Sequence, residues 1–310
     1  MLRRLLALLT CSGLAVVAAG CTPATLPVDI VPSPSPTVTQ APLDVDGEPG
    51  NPPKLTYEKP FEVVAPASGT VWPGTGDRLE RDDPLLLNLY AEDGRDGTEL
   101  QNTFRSAASP YTMTESSLGN HLFEALEGKR VGTRIQLMEQ DEGVPVLLVV
   151  DVLPTRASGT ELPGPPDPLP QVTRDELGEP SIRVPRGARP PSSLEVVPLI
   201  QGGGRQVERG HVVTVEIHAV TWSDGRVVES TWTEGTPPQS AQVGIGALIE
   251  GWDTGLVQQP VGSQVMLVVP PDLAYAGTKN PLAGETLVYV IDILDAHKPV
   301  QAEPKPKKKG

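Results

Sequence analysis

Five residues in the last third of this 310-residue chain are of the kinds that build a dry pocket with a few hydrogen-bond donors: Leu248, Ile249, Trp252, Tyr275 and Tyr289. A wall of aromatic and branched side chains with a hydroxyl or amide at its rim breaks no covalent bond. What it can act on is a conformational barrier. A planar amide resists rotation by about 18 to 20 kcal/mol because of conjugation, and a twisted amide has lost that conjugation and much of its dipole. An apolar site therefore disfavours the planar form more than the twisted one, and a donor that fixes a neighbouring carbonyl adds to the bias. Other chemistries fail on spacing. His121, His211, His218 and His297 are scattered, with no pair four residues apart and no cysteine partner, so no zinc site is expected. Gly244-Ile-Gly246 has Ile249 where a dinucleotide loop needs its third glycine, and no Gly-x-Ser-x-Gly elbow occurs. Neither metal nor cofactor is expected. Plainer readings stand beside these: Trp252 as core, Tyr275 as a loop anchor beside Pro270-Pro271, Tyr289 as a strand residue buried with or without a ligand, and Glu229 as a solvated charge at a strand end.

Strands and a short helix must position such a set, and the surrounding sequence alternates accordingly. Leu194-Glu-Val-Val-Pro-Leu-Ile200 and Val212-Val-Thr-Val-Glu-Ile217 read as strands, and Asp224-Gly225 is a hairpin signal. The same order appears earlier, with strand-like runs at residues 85–90, 131–137 and 144–153 and a helical run at 118–126. Val131-Gly132-Thr133 precedes Val261-Gly262-Ser263 by 130 residues, and Val149-Val-Asp-Val-Leu153 precedes Val290-Ile-Asp-Ile-Leu294 by 141. The eleven-residue difference falls between the last two strands, so the first copy lacks the segment from Pro270 to Ala283, Tyr275 included. A long unit occurring twice is a duplicated domain rather than a solenoid; an unrelated small β domain with a chance match is the plainer alternative. Leu122 or Phe123 falls where the second copy has Trp252.

In order along the chain, Leu248-Ile-Glu-Gly-Trp252, Val261-Gly262, Pro271-Asp-Leu-Ala-Tyr275 and Leu287-Val-Tyr289 match a known pattern, and the segment resembles the FKBP-type peptidyl-prolyl isomerases. The likeness runs over residues 194–298 and, more weakly, over 61–156. It implies an α+β fold: two FKBP-like domains, each an antiparallel half-barrel sheet wrapped around one short helix, the first copy degenerate. It further implies that Trp252 forms the floor under a proline ring, that Ile249 offers a backbone donor and Leu248 a wall, and that the Tyr275 hydroxyl bonds the substrate carbonyl. Tyr289 replaces a deep phenylalanine. Ile217 stands in place of a pocket tyrosine, Val228-Glu229 in place of Phe-Asp, Gln239-Ser-Ala241 in place of Phe-x-Phe and Ala276 in place of glycine after the flap tyrosine; the flap itself is shorter. The implied activity is cis-trans isomerisation of Xaa-Pro bonds, assisting the folding of exported proteins, with unfolded or extended proline-containing chains as partners. The rival is a non-catalytic holdase or scaffold, favoured by the lost aromatics; a third reading is a small hydrophobic ligand in the same pocket.

The remaining segments give the chain an address. Residues 1–20 have a basic start and an apolar run too short for an ordinary membrane span, and read as an export signal. Val17-Ala-Ala-Gly-Cys21 resembles a bacterial lipobox, so cleavage before Cys21 and lipidation of Cys21 are expected, anchoring the chain to the outer face of the cell membrane. The other cysteine, Cys11, leaves with the signal, which keeps thiols out of the folded domains. Residues 21–60 read as a Pro/Ser/Thr-rich disordered tether, 61–156 as the degenerate domain, 157–192 as a Pro-rich linker, 193–298 as the isomerase domain and 299–310 as a basic disordered tail. A net charge of −14 argues against a nucleic-acid partner, and a monomer is expected.

Overall fold

The computed structural model describes residues 40–233 and 235–299; Cys21, the export segment and the basic run after residue 299 lie outside them. The chain opens with a small hairpin, β1 (Asp44–Asp46) and β2 (Lys54–Thr56), and continues through β3 (Ala67–Trp72), β4 (Pro84–Asp93), β5 (Glu99–Asn102), β6 (Ser109–Thr112), α1 (Glu115–Leu118), α2 (Asn120–Leu126), β7 (Arg134–Asp141) and β8 (Val144–Leu153). After these come β9 (Gly159–Glu161), β10 (Gln171–Arg174), β11 (Pro180–Arg183), β12 (Glu195–Gly202), β13 (Val212–Thr221), β14 (Val227–Ser230), β15 (Gln239–Gln242), α3 (Glu250–Gly255), β16 (Gln264–Val269) and β17 (Leu287–His297). The first sheet has the order β3-β7-β8-β4-β5, with β6 also on β4; the second has β12-β16-β17-β13-β14, with β15 also on β13 and β9 added outside β12. Both are antiparallel throughout and each holds helix on its concave face, which is the α+β architecture expected.

The two sheets agree residue by residue where the backbone is most constrained. A Cβ on Gly74 would lie 2.2 Å from the Val131 carbonyl oxygen, and one on Gly202 would lie 2.3 Å from that of Val261. Each glycine amide donates to a hydroxyl, Thr133 Oγ1 for Gly74 and Ser263 Oγ for Gly202, both at 2.9 Å. Further along, the Leu89 amide donates to Thr103 Oγ1 (2.8 Å) and the Ile217 amide to Thr231 Oγ1 (2.7 Å), so one side chain ties down the kinked central strand in both copies.

The copies differ at the helix and at the last hairpin. The first helix is not a single element but two, α1 capped by Thr114 and separated from α2 by Gly119 at φ +76°. In the second copy α3 sits close enough to β16 that a Cβ on Gly251 would meet Val269 at 2.5 Å and one on Gly255 would meet Leu267 at 2.7 Å. At the positions of Gly251 and Val269 the first copy carries His121 and Glu139, which pair at 2.8 Å across the same gap. Between β7 and β8 the flap is reduced to a Glu142-Gly143 turn, both residues at positive φ, the turn chemistry that a tight hairpin needs.

Two expectations about the flanking segments are overturned. Residues 157–192 are not a spacer: β9 extends the second sheet, the β10–β11 hairpin lies over its convex face, and Leu169, Val172, Ile182 and Val184 pack there against Leu199, Val220, Trp222, Met266, Val268, Val288 and Val290. The end of the expected tether behaves alike, since Leu43, Val45, Leu55 and Tyr57 cover Met138 and Leu147 on the back of the first sheet. The physical reason is the pattern of β16 and β17, which are apolar on both faces and so need cover on both. Buried polar groups fix each cover in place. Asp292 accepts from the Ala157 amide (2.7 Å) and from Gln264 Nε2 (2.7 Å), while Arg174 Nε donates to Gln264 Oε1 (2.7 Å). At the matching positions of the first sheet Asp151 pairs with the buried Arg134, which also donates to the Asn51 carbonyl (2.9 Å). The two sheets touch through their backs, with Leu86 and Leu153 against Leu294 and Asn88 Nδ2 donating to Asp295 Oδ2 at 3.3 Å.

A chain shortened to start at residue 193 is therefore expected to be less stable to urea than one starting at 157, by on the order of 3 to 5 kcal/mol from lost apolar cover. Equal midpoints would sink the claim that the segment is structural. A second expectation concerns pH. Burial pushes the carboxyls of Glu216 up to about 7 and of Asp292 up to about 6. A raised carboxyl keeps its proton longer in the folded state than in the unfolded one, so its contribution is greatest in mild acid and is lost as pH climbs toward 7. The joint contribution of these two carboxyls to stability in urea should fall from pH 5 to pH 8, and Glu216→Gln, which keeps an acceptor for the Thr231 hydroxyl, should recover about 1 to 3 kcal/mol at pH 8. An unchanged pH slope in that variant would refute the assignment.

Candidate active site

Cross-strand register places the pocket floor. Leu267, Tyr289, Ala219 and Glu229 lie opposite one another in a single row across β16, β17, β13 and β14. Residues paired directly across antiparallel strands share a face, and neighbouring strands are about 4.8 Å apart. The small Ala219 is thus a low point flanked by two long side chains. Trp252 closes the row from above: α3 turns it inward, it is 7% exposed, and its ring meets Tyr289 edge-on at 5.5 Å and 86°.

Why the helix points Trp252 inward follows from its start. Ile249 is the extended N-cap residue, at φ −61° and ψ 143°, whose carbonyl accepts from both the Trp252 and Asp253 amides. Asp253 in turn is nearly buried and accepts from the amides of Gly244 (2.7 Å) and Gly246 (2.6 Å), tying the approach loop to the helix. Both glycines have positive φ, which lets the loop fold back onto the carboxylate. The Ile249 amide and the Trp252 indole N–H have no acceptor among the described residues, leaving two donors beside the floor.

The rim combines the other expected residues. Leu248, Ile249, Val228 and Tyr275 are half-buried and pack against the core that contains Trp252, Tyr289 and Ile217. Tyr275 is carried by the flap, where the Ala276 amide donates to the Pro271 carbonyl (2.9 Å) and the Thr278 amide and hydroxyl donate to the Tyr275 carbonyl (3.1 and 2.7 Å). Burial, aided by the nearby Tyr275 and Glu229, holds the Tyr289 phenol well above its ordinary range, so it stays protonated. Ala276 is exposed on the outer turn of the flap, away from the packed set. Ile217 is completely buried, a wall of the core with no polar atom to offer.

Sequence reasoning passed over three residues that the structure brings to the site. Ala219 is one, since a lone alanine in a strand carries no signal until register sets it between Tyr289 and Glu229. Gln239 is another: its Nε2 donates to Glu229 Oε1 at 2.8 Å, a contact that a glutamine in place of an aromatic does not announce. Thr231, which accepts from the Ile217 amide, is the third, since a lone hydroxyl carries no signal until the fold sets it beside that strand. A separate cleft of about 510 Å³ opens on the opposite face, beneath the β10–β11 hairpin, lined by Arg174, Glu179, His218 and Val227; none of the aromatic set reaches it. In the first sheet the matching row is Leu137, Leu148, Ala91 and Gln101, with Leu122 and Phe123 both buried under it. The framework is kept, and the hydroxyl and the charge are gone.

Known proteins match the same stretch. A family model described as FKBP-type peptidyl-prolyl cis-trans isomerase matches residues 203–294. The FK506-binding protein of Streptomyces anulatus is 35% identical over 122 residues, covering 38% of this chain and 97% of that protein. The probable FK506-binding protein of Corynebacterium glutamicum is 34% identical over 122 residues, covering 39% of this chain and 100% of that one. The crystal structure of FkpA from Escherichia coli aligns at 27% identity with a TM-score of 0.32, over 37% of this chain and 54% of that chain. These two relatives are covered almost from end to end at more than 30% identity, and this chain belongs to the family of FKBP-type peptidyl-prolyl cis-trans isomerases.

Proposed function

We propose that the concave pocket of the second sheet accelerates cis-trans rotation of Xaa-Pro bonds in extended polypeptides, and that the first sheet grips such chains without turning them over. The observation that carries this reading is the contrast between two otherwise equivalent rows: Leu267-Tyr289-Ala219-Glu229 under Trp252, and Leu137-Leu148-Ala91-Gln101 under Leu122. A proline ring over Ala219 would rest against the Trp252 and Tyr289 rings. The Ile249 amide and the Tyr275 hydroxyl would then hold the carbonyls on either side while the amide twists, with no nucleophile required. The clients would be exported chains met outside the membrane, with Cys21 as the lipid anchor and the whole working as a monomer. The uncatalysed reaction takes tens to hundreds of seconds, slow enough to limit folding. A holdase role for the entire protein has one observation in its favour, the aliphatic Ile217 in the pocket wall.

The test is Xaa-Pro isomerisation by the whole chain, with variants that copy the first sheet. Trp252→Leu and Tyr289→Leu should each lower kcat/KM by tenfold or more, and Tyr275→Phe by about fivefold, the worth of one neutral hydrogen bond, with circular dichroism unchanged. A folded wild-type protein that leaves the rate untouched would discard catalysis and leave the holdase reading.

A further inference from the structure

Glu229 is the one place in the pocket row where a full charge stands, and the first sheet has the neutral Gln101 there. The residue is half-buried on the edge strand β14, beside a bulge that turns Val228 onto the core. One oxygen is held by Gln239 at 2.8 Å; the other has no partner among the described residues, and Glu229 makes no ion pair there. The charge is felt inside the pocket, since it helps keep the Tyr289 phenol protonated. Lys279, the cation of the flap, is exposed and forms no ion pair among the described residues. A proline ring seated over Ala219 puts its neighbours in the client within reach of a row only a few strands wide.

We propose that Glu229 makes this pocket selective for prolines flanked by a basic residue, lysine or arginine. The inference rests on the isomerase reading of the same pocket and adds the chemistry of the preferred client. Gln239 fixes the carboxylate in position without neutralising it, so an incoming ammonium or guanidinium finds an oriented acceptor. A pair at such a rim keeps part of its hydration, which limits the discrimination to about fivefold at low salt, and screening should erode it. The net charge of −14 favours cationic clients in the same sense.

The experiment compares kcat/KM of the whole chain on peptides that carry Lys, Leu or Glu immediately before the proline, and on a second set that carries them immediately after it. The expected result is a lysine-to-glutamate ratio of about five in one set at low salt. It should shrink at high salt and fall to about one in Glu229→Gln. Equal rates for all peptides in both sets, or a ratio that survives Glu229→Gln, would overturn the proposal. Should no peptide be turned over, the isomerase reading fails separately. The binding constants of the same labelled peptides then decide the charge preference: a ratio that depends on Glu229 upholds it, and equal affinities end it.

Discussion

Every residue of β16 and of the eleven-residue β17 is buried, and a strand pair buried on both faces must be covered twice. The rest of the second unit follows from that requirement. The concave side is closed by α3, packed so near that Gly251 and Gly255 have no room for a side chain. The convex side is closed by chain that precedes the sheet in sequence, held by hydrogen bonds to Asp292 and Gln264. Because the sheet cannot shift against either layer, the row that holds Tyr289 and Ala219 has a fixed depth below Trp252. A pocket that acts by shape and dryness depends on that fixed depth more than one that relies on a reactive group.

The duplication separates what the fold needs from what the site adds. Glycines at 74 and 202, hydroxyls at 103 and 231 and carboxylates at 151 and 292 do the same backbone work in each copy. The differences gather at the rim of the concave face, where the first copy has leucine for tyrosine, glutamine for glutamate and a two-residue turn for the flap. Where the second copy needs Gly251 for close approach, the first uses an exposed His121–Glu139 pair. The first copy is thus the same scaffold with the tyrosine hydroxyl and the carboxylate charge removed, not a damaged version of it.

Alternation and turn chemistry made the long strands β4, β8, β12, β13 and β17 legible, and the ordered motifs around Trp252 and Tyr275 made the site legible too. Four-residue strands such as Gln171-Val-Thr-Arg174 were not, because neighbouring prolines dominate the local composition and the stabilising partner is a sheet face far along the chain. The back-face polar residues were missed for a related reason. Glu216 in an alternating strand reads as a solvent-facing charge, and only the fold reveals the cover above it. Ala219 had no signal of its own, since its role is to be small between two neighbours that register alone identifies.

The contact between the two sheets has a geometric outcome for anything that binds both. Leu86, Leu153 and Leu294 meet through the convex faces, and Asn88, Phe104, Asp295 and His297 complete the seam. The helices, and with them the concave floors, consequently look outward on opposite sides of that seam. A polypeptide touching both floors has to travel around the rim of the molecule, a path open to a long flexible segment and closed to a compact one. The back-to-back joint therefore separates the two floors, so that no short segment can reach both at once.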